Sequence, residues 1–479
     1  MKTKMARLLA LILSLSLLLT VVVGCGDETP SGNESTPGDA TDNSGGKAGG
    51  AKPLPDVDLG GMTVILGDWW SPATYEEDEP MTAWDQMVLD YHHMVEDKLN
   101  FTFNQIGLQN QGEYNSVLIN SFINNDPACH LFWGKAETIV SMASQGLLYD
   151  LSTLDAFDLS EDKWPDVITE YFTVNGKVYA ARADVDEPRT GIFFNKRLLE
   201  DAGIDPDLPY DLQKSGEWTW EAFENLCAQL TQDYNSDGVT DIYGLADNPS
   251  SNLKAGVYSN GAMFVTKDES GKFVDGTTDP KFLEGMQWAV SLYEKGYVKM
   301  KAEGDNWDHY YYDFIEGRTA MLMAEYWITN SYLKQMGDDY GYVMMPAGPN
   351  GTMGTPMYPT PICIPACLDK ETANKVAAAY DSWTDTYVNI EGAEMLNASF
   401  RDIYYGNFRD SRAVNETVTS MVTDPECQFY DSYYLIPNYN VGDYFWEVSR
   451  LEVTPAEKID ELRPINQAAI DAANVLFGN

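Results

Sequence analysis

Histidine, cysteine and positive charge are all scarce. The 479-residue chain has four histidines, His92, His93, His130 and His309, with no His/Cys pattern at metal-ligand spacing. That argues against a zinc site. The cysteines are Cys25, Cys129, Cys227, Cys363, Cys367 and Cys427. Cys25 aside, an odd number remains in a chain long enough for a large core, so no disulfide framework is expected. Cys363 and Cys367 could pair, but Cys-Ile-Pro-Ala-Cys reads as an apolar strand end with buried thiols. Lysine and arginine total 31 against 74 acids, a formal charge of −43. Such a surface repels nucleic acid and anionic lipid, so no nucleic-acid partner is expected. No Gly-x-Ser-x-Gly, His-Glu-x-x-His or phosphate-binding loop occurs. No internal repeat is present. Beyond the N-terminus, no apolar stretch is long enough to span a bilayer.

The N-terminus itself is distinctive. Lys2, Lys4 and Arg7 precede an apolar run, Leu8 to Val23, broken only by Ser14, Ser16 and Thr20. Positive charge, a short apolar stretch and a small residue, in that order, form a secretory signal. The run is too short for a permanent spanning helix. Its ending, Val22-Val23-Gly24-Cys25, resembles a lipobox. That resemblance implies cleavage after residue 24, acylation of Cys25 with two or three chains, and residence on the extracytoplasmic face of the cell membrane. The lipid is then the sole membrane attachment. Residues 25–58 are rich in Gly, Ser, Thr, Asp, Asn and Pro and cannot bury enough surface to fold. As a flexible leash of about 30 residues they reach roughly 30 Å.

From residue 59 onward, strands and helices alternate. Met62–Leu66, Phe101–Phe103 and His130–Trp133 read as strands. Trp84–Leu99, Tyr114–Ile123 and Ala136–Gly146 read as helices with apolar faces at helical spacing. Lys177–Ala181 and Gly191–Phe194 are further strands. The helix reaching Leu230 should be capped by Thr219. Thr454-Pro-Ala-Glu457 is a capping box that opens the last helix, in which Pro464 should make a kink. This alternation predicts an α/β fold with a mainly parallel sheet.

Several segments, in order, resemble the extracellular solute-binding proteins that serve ABC importers of sugars, the maltodextrin-binding group. They are Leu131-Phe-Trp-Gly134, Ser144-Gln-Gly-Leu-Leu-Tyr-Asp-Leu151, Asn175-Gly-Lys-Val-Tyr-Ala-Ala181, Gly191–Gly203, Trp218-Thr-Trp-Glu-Ala-Phe223, Phe314–Met321 with Trp327, Tyr342–Pro349 and Tyr444-Phe-Trp446. The resemblance implies a two-lobed periplasmic-binding-protein-like fold of type II, with hinge crossings and a central ligand cleft. Lobe one would be 59–152 with 356–425, and lobe two 153–355 with 426–479. Crossings would lie near 152–155, 353–358 and 424–428. The implied partners are a carbohydrate ligand and the permease of an ABC importer. A monomer is expected, and no catalysis.

A sugar site needs aromatic rings for C–H faces and polar groups for hydroxyls. For any single tryptophan, core packing is the default. Trp69 and Trp70 follow a strand end, where α/β clefts bind ligand, and Trp70 is favoured as the exposed ring. By resemblance, Trp133, Trp327 and Trp446 are cleft tryptophans. Asp68, Lys135, Asp184 and Asn248 are polar candidates, and Tyr358 lies just past a crossing. The family's cleft aspartate, three positions beyond Trp133, is replaced by Ala136 with Glu137 after it. That substitution points to a sugar other than maltodextrin.

Asp233, Asn235, Asp237, Val239 (through its carbonyl) and Asp241, with Gly238 at the sixth position, match a calcium loop lacking its bidentate twelfth glutamate. A structural calcium is expected there and no catalytic cofactor; an Asx-rich turn would give the same pattern. Two rivals to the sugar receptor stand: a receptor for peptides or other small polar solutes, and a surface glycosidase, which needs two carboxyls flanking the scissile bond.

Overall fold

The computed structural model describes residues 54–75, 83–161, 163–183, 190–387 and 408–478, all within one unit, Gly49–Asn479. The signal segment, Cys25, most of the linker and Asp184 lie outside the described residues. In chain order the strands are β1 (Met62–Asp68), β2 (Phe101–Gly107), β3 (Leu131–Trp133), β4 (Thr173–Val174), β5 (Lys177–Val178), β6 (Thr190–Asn195), β7 (Tyr243–Ala246) and β8 (Val265–Lys267). They continue as β9 (Phe273–Asp275), β10 (Val298–Lys299), β11 (Thr319–Glu325), β12 (Tyr340–Val343), β13 (Thr355–Pro356), β14 (Ile362–Cys363) and β15 (Gln428–Phe429).

Two sheets carry the fold. The first has the order β14-β3-β1-β2, with β1, β2 and β3 parallel and β14 antiparallel at the edge. The second has the order β10-β7-β11-β6-β12. In it β7, β10, β11 and β12 point one way and only β6 opposes them. The mainly parallel arrangement needs helices over its faces. β13 pairs with β15 where the sequence puts two crossings. β4–β5 and β8–β9 are separate hairpins.

Local chemistry sets the element ends. The Thr219 hydroxyl accepts from Ala222 N at 3.4 Å and starts the helix Trp220–Leu230. Thr454 and Glu457 form the expected capping box of the helix Pro455–Phe477, which continues past Pro464 as one element. Four tryptophans, Trp164, Trp218, Trp220 and Trp288, are buried in the core. Trp218 and Trp220 are buried, and the Trp220 and Trp288 rings stack at 4.3 Å, 4° from parallel. The Trp218 and Trp220 indole N–H groups donate to Met344 O (2.8 Å) and Ser259 Oγ (2.9 Å), respectively. Burial of each ring stabilises by roughly 1.5–3 kcal/mol only because those donors are satisfied. All five described cysteines are free thiols, Cys363 and Cys367 included.

Two segments pack on the opposite sheet from the one the sequence reading gives them. Residues 154–164, read as lobe two, join the first sheet's core through Leu154, Phe157 and Trp164. Lys163 also pairs there with Asp381 and Asp385. Residues 408–417, read as lobe one, pack on the second sheet. The Phe408 ring stacks with Phe193 at 6.4 Å, Gln213 Nε2 donates to Thr417 Oγ1 at 2.9 Å, and Arg412 pairs with Asp211 at 2.9 Å. Long-range side-chain partners decide both placements, and local pattern carries no record of them.

Candidate functional site

Because β1, β2 and β3 are parallel, their C-terminal ends leave the first sheet at one edge. Trp69–Trp70 and Trp133–Lys135 therefore emerge together. On the second sheet, β7, β10, β11 and β12 likewise end on one edge, where β6 begins at Thr190. Ligands of open α/β sheets bind outside such edges.

On the first side the Trp69 and Trp70 rings meet edge to face at 4.8 Å, and Trp70 is 55% exposed. Trp70 and Trp133 lie 6.4 Å apart, inclined by 39°. The Arg182 guanidinium sits over Trp133 at 5.5 Å and donates to Thr360 Oγ1 at 3.0 Å. Lys135 Nζ stands 5.3 Å from the Trp69 ring centre. Burial pushes the Lys135 pKa down and the Glu137 pKa up. The Trp133 Nε1 is buried with no hydrogen-bond partner, so a polar group arriving beside it would satisfy a donor that otherwise carries a desolvation penalty.

On the second side, Asp431 organises a tyrosine cluster. Its carboxylate is fully buried and accepts from Phe264 N (2.6 Å), Val265 N (3.0 Å) and Tyr433 N (3.0 Å). Burial raises its pKa to about 6, against the pull of those three N–H groups. The 3₁₀ turn Ser432–Leu435 is capped by it and presents Tyr433 and Tyr434. The Tyr434 ring packs on Tyr358 at 4.5 Å, and the Tyr358 hydroxyl lies 3.5 Å from Glu137 Oε2.

Between the sides is a cavity of about 450 Å³, lined by Glu137, Lys254, Glu325, Tyr358, Tyr434 and Tyr439 among others. A side chamber of about 50 Å³ shares Lys254, Glu325, Tyr358 and Tyr434 and adds Thr190, Ser250 and Ser251. The larger space falls in the range of small-molecule sites, and aromatic faces with a few convergent polar groups are their usual lining.

The sequence candidates fare unequally. Trp69, Trp70, Trp133 and Lys135 are brought together. Tyr358 lines the cavity. Trp327 is 37% exposed and donates from Nε1 to Glu325 Oε2 at 2.6 Å, next to the lining. Trp446 is 49% exposed beside Phe445 but is not among the lining residues.

Two polar candidates are corrected. Asp68 is fully buried, and its carboxylate accepts from Trp70 N (2.9 Å), Ser71 N (2.7 Å), Ser71 Oγ (2.6 Å) and Gln105 Nε2 (2.6 Å). It aims the tryptophan turn and has no acceptor capacity for ligand. Asn248 is buried as the N-cap of the helix Pro249–Ser259, accepting from Ser251 N at 3.5 Å and donating to Met323 O at 3.0 Å. Sequence reasoning missed Lys254, Glu325, Tyr433 and Tyr434. The run Tyr430-Asp-Ser-Tyr-Tyr434 after a crossing was the available signal.

The Asp233–Asp241 loop stands apart from these linings. Asp233 accepts from Asp237 N (3.3 Å) and Gly238 N (2.8 Å), Asn235 from Asp237 N (2.8 Å), Asp237 from Val239 N (2.8 Å), and Asp241 from Tyr234 N (2.8 Å). Ser236 and Gly238 take positive φ, 59° and 86°. The acidic side chains thus turn into the loop from both of its ends.

Two α/β units of sheet and helix, with strand ends facing a shared cleft, define a two-domain solute-binding protein. The chain belongs to the bacterial extracellular solute-binding protein family, whose profile matches residues 94–393. Among solved structures it is similar to an ABC substrate-binding protein from Listeria monocytogenes in complex with cycloalternan, at 16% identity over 87% of this chain and 99% of that one, TM-score 0.58. It is also similar to the GacH receptor of Streptomyces glaucescens, solved unliganded and with acarbose (17%, 88% and 99%, TM-score 0.58). The cyclic alpha-maltosyl-1,6-maltose binding protein of Arthrobacter globiformis is a third (15%, 86% and 99%, TM-score 0.61). No curated protein matches the sequence. Among the described residues no helix is long and apolar enough to cross a membrane.

Proposed function

We propose that the protein is a lipid-anchored receptor on the extracytoplasmic face of the membrane. It captures a carbohydrate, an oligosaccharide, and delivers it to the permease of an ABC importer. The observation that carries this reading is a set of aromatic rings at the strand ends: Trp70 and Trp133 paired beyond the first sheet, and Tyr358 and Tyr434 lining the cavity. Such rings suit the C–H faces of sugars, and the polar groups beside them suit hydroxyls. The sugar ligands of the three similar structures support the same class. Ligand closes the lobes by binding the closed state more tightly, with the β13–β15 crossing as the bending point.

Mass spectrometry of small molecules released from the denatured, freshly purified protein tests the reading directly. A released sugar, with saturable tryptophan fluorescence changes across an oligosaccharide panel, is the expected result. A released peptide would overturn it. Because Glu137 and Glu325 line one cavity, product formation from the same sugars is assayed alongside, and turnover would favour a glycosidase. For the anchor, Cys25→Ser should leave ligand affinity unchanged and release the protein from membranes. A leash through Cys25 keeps the receptor's local concentration near the permease high.

The Asp233–Asp241 loop is proposed to hold a structural calcium. Each acidic side chain gives at least one oxygen to a backbone N–H, and the second carboxylate oxygens of Asp237 and Asp241 remain for a cation. The ion would supply charge that clamps the turn between the helix Trp220–Leu230 and β7, and no chemistry.

A further inference from the structure

We infer that the ligand is an acidic oligosaccharide, with a hexuronate carboxylate held by Lys254 in the side chamber. This rests on the carbohydrate reading above and names the sugar class. Lys254 lies in the helix Pro249–Ser259, is half-buried, and lines both cavities. Its ammonium sits over Tyr433, Tyr434 and Phe445 at 5.5, 5.7 and 5.6 Å from the ring centres. Among the described residues it has no hydrogen bond and no ion pair. Lys163, Lys196, Lys299 and Lys458, by contrast, rest on carboxylates, while the half-buried Lys135 and Lys281 share with Lys254 the lack of an ion pair among the described residues.

The acids around Lys254 are engaged elsewhere. Asp431 acts on it through space, but its oxygens accept three backbone N–H groups. Glu325 accepts from Trp327 Nε1, and Glu137 lies beside Tyr358 and Lys135. The three aromatic rings hold the ammonium in a partly desolvated position, where it feels Asp431 through space but has no carboxylate in direct contact among the described residues. A neutral hydroxyl would leave that ammonium without a direct ionic partner; a carboxylate would supply one with charge-assisted bonds. The hydroxyls of Thr190, Ser250 and Ser251, also without partners among the described residues, surround the same chamber. At about 50 Å³ it takes one substituent and not a ring. The pyranose then lies in the larger cavity against Tyr358 and Tyr434.

The test is calorimetric titration of the intact protein with trimers of galacturonic, glucuronic and mannuronic acid, each paired with its carboxyl-reduced neutral counterpart. At least one uronide should bind about 10-fold to 100-fold tighter than its neutral pair, the weight of charge-assisted bonds. Lys254→Met should abolish that preference and Lys254→Arg should keep most of it, with near-UV circular dichroism checking the fold of each. Equal binding of every acidic and neutral pair by the unmodified protein overturns the inference without recourse to any variant. Binding of neutral oligosaccharides alone also overturns it and leaves the receptor reading in place. Binding of neither class overturns both.

Discussion

The rings of Trp70 and Trp133 face each other across 6.4 Å, and the Arg182 guanidinium covers Trp133 at 5.5 Å. The pair exists because β1 and β3 are neighbours running the same way, so the residues beyond their ends emerge side by side. Asp68 then fixes the turn that raises Trp70 into solvent. Replacing either ring by alanine removes aromatic area worth about 1.5–3 kcal/mol when a ligand covers it. Affinity should fall about 10-fold to 100-fold in fluorescence titration with the released ligand. Trp446→Ala, a ring with no contact to that pair among the described residues, should change affinity less than threefold (an order-of-magnitude bound). Equal losses at all three positions would contradict this site.

Asp431 predicts an unusual pH dependence. Its carboxyl is held up to about 6 when folded, from an ordinary 3.8. Between those values the folded state binds more protons than the unfolded state. Stability from this group is therefore complete below pH 3.8 and is lost as pH rises through 6, by at most roughly 3 kcal/mol. Asp431→Asn cannot titrate, and its amide group faces a backbone N–H, so it should destabilise by about 1–3 kcal/mol. Urea unfolding of both proteins from pH 7 to pH 4 should show the gap widening in acid. A gap independent of pH would refute the linkage. Asp313 has the opposite sign. Burial raises its pKa, but His309, Arg318 and Lys299 outweigh that and hold it down to about 2, so its contribution fades only below pH 4.

Lys163 ties the segment after the 3₁₀ turn Leu151–Thr153 to the helix Lys370–Trp383. Its side chain is 7% exposed, and its ammonium lies 2.8 Å from Asp381, 3.6 Å from Glu161, and in direct contact with Asp385. Lys163→Met leaves buried carboxylates without a counter-charge, which costs about 3–5 kcal/mol. The loss should appear in the unfolding midpoint, and adding Asp385→Asn should recover part of it. A neutral Lys163→Met would show that the segment does not anchor there.

Much of this was legible in sequence, and the failures have a common cause. Helix starts at Thr219 and Thr454 were readable because a cap acts within four residues. The strand-end position of Trp70 was readable from the parallel-sheet pattern, while Trp133 came from the family resemblance. Asp68 and Asn248 were misjudged because an Asx residue at a strand end serves equally as turn anchor, helix cap or ligand contact. Which one it becomes depends on whether nearby donors saturate it, as two backbone N–H groups and the side chains of Ser71 and Gln105 saturate Asp68. Lys254 and Tyr434 were missed because 180 positions separate them and only the crossing at β15 brings them together. The packing of 154–164 and 408–417 was hidden for the same reason, since Lys163 and Arg412 find their acids more than 200 residues away.

Calcium at the Asp233–Asp241 loop offers a test separable from ligand binding, because none of its residues lines either cavity. The loop's backbone N–H groups already point at Asp233, Asn235, Asp237 and Asp241, which leaves like charges gathered at one exposed turn with no lysine or arginine bridge to them among the described residues. A divalent cation removes that repulsion and stabilises the folded state by mass action, about 2.7 kcal/mol at a free concentration 100 times the dissociation constant. Adding EDTA to protein purified with calcium should lower the melting temperature, and calcium, more than magnesium, should restore it, because the loop is built of flexible oxygen donors. Asp233→Ala with Asp237→Ala should abolish the EDTA response while sugar affinity stays the same. A melting temperature indifferent to EDTA, with no metal detected by elemental analysis, would reduce the loop to a set of Asx turns. A simultaneous loss of sugar affinity would instead couple the loop to the cleft through the helix Trp220–Leu230, whose far end packs under Trp288.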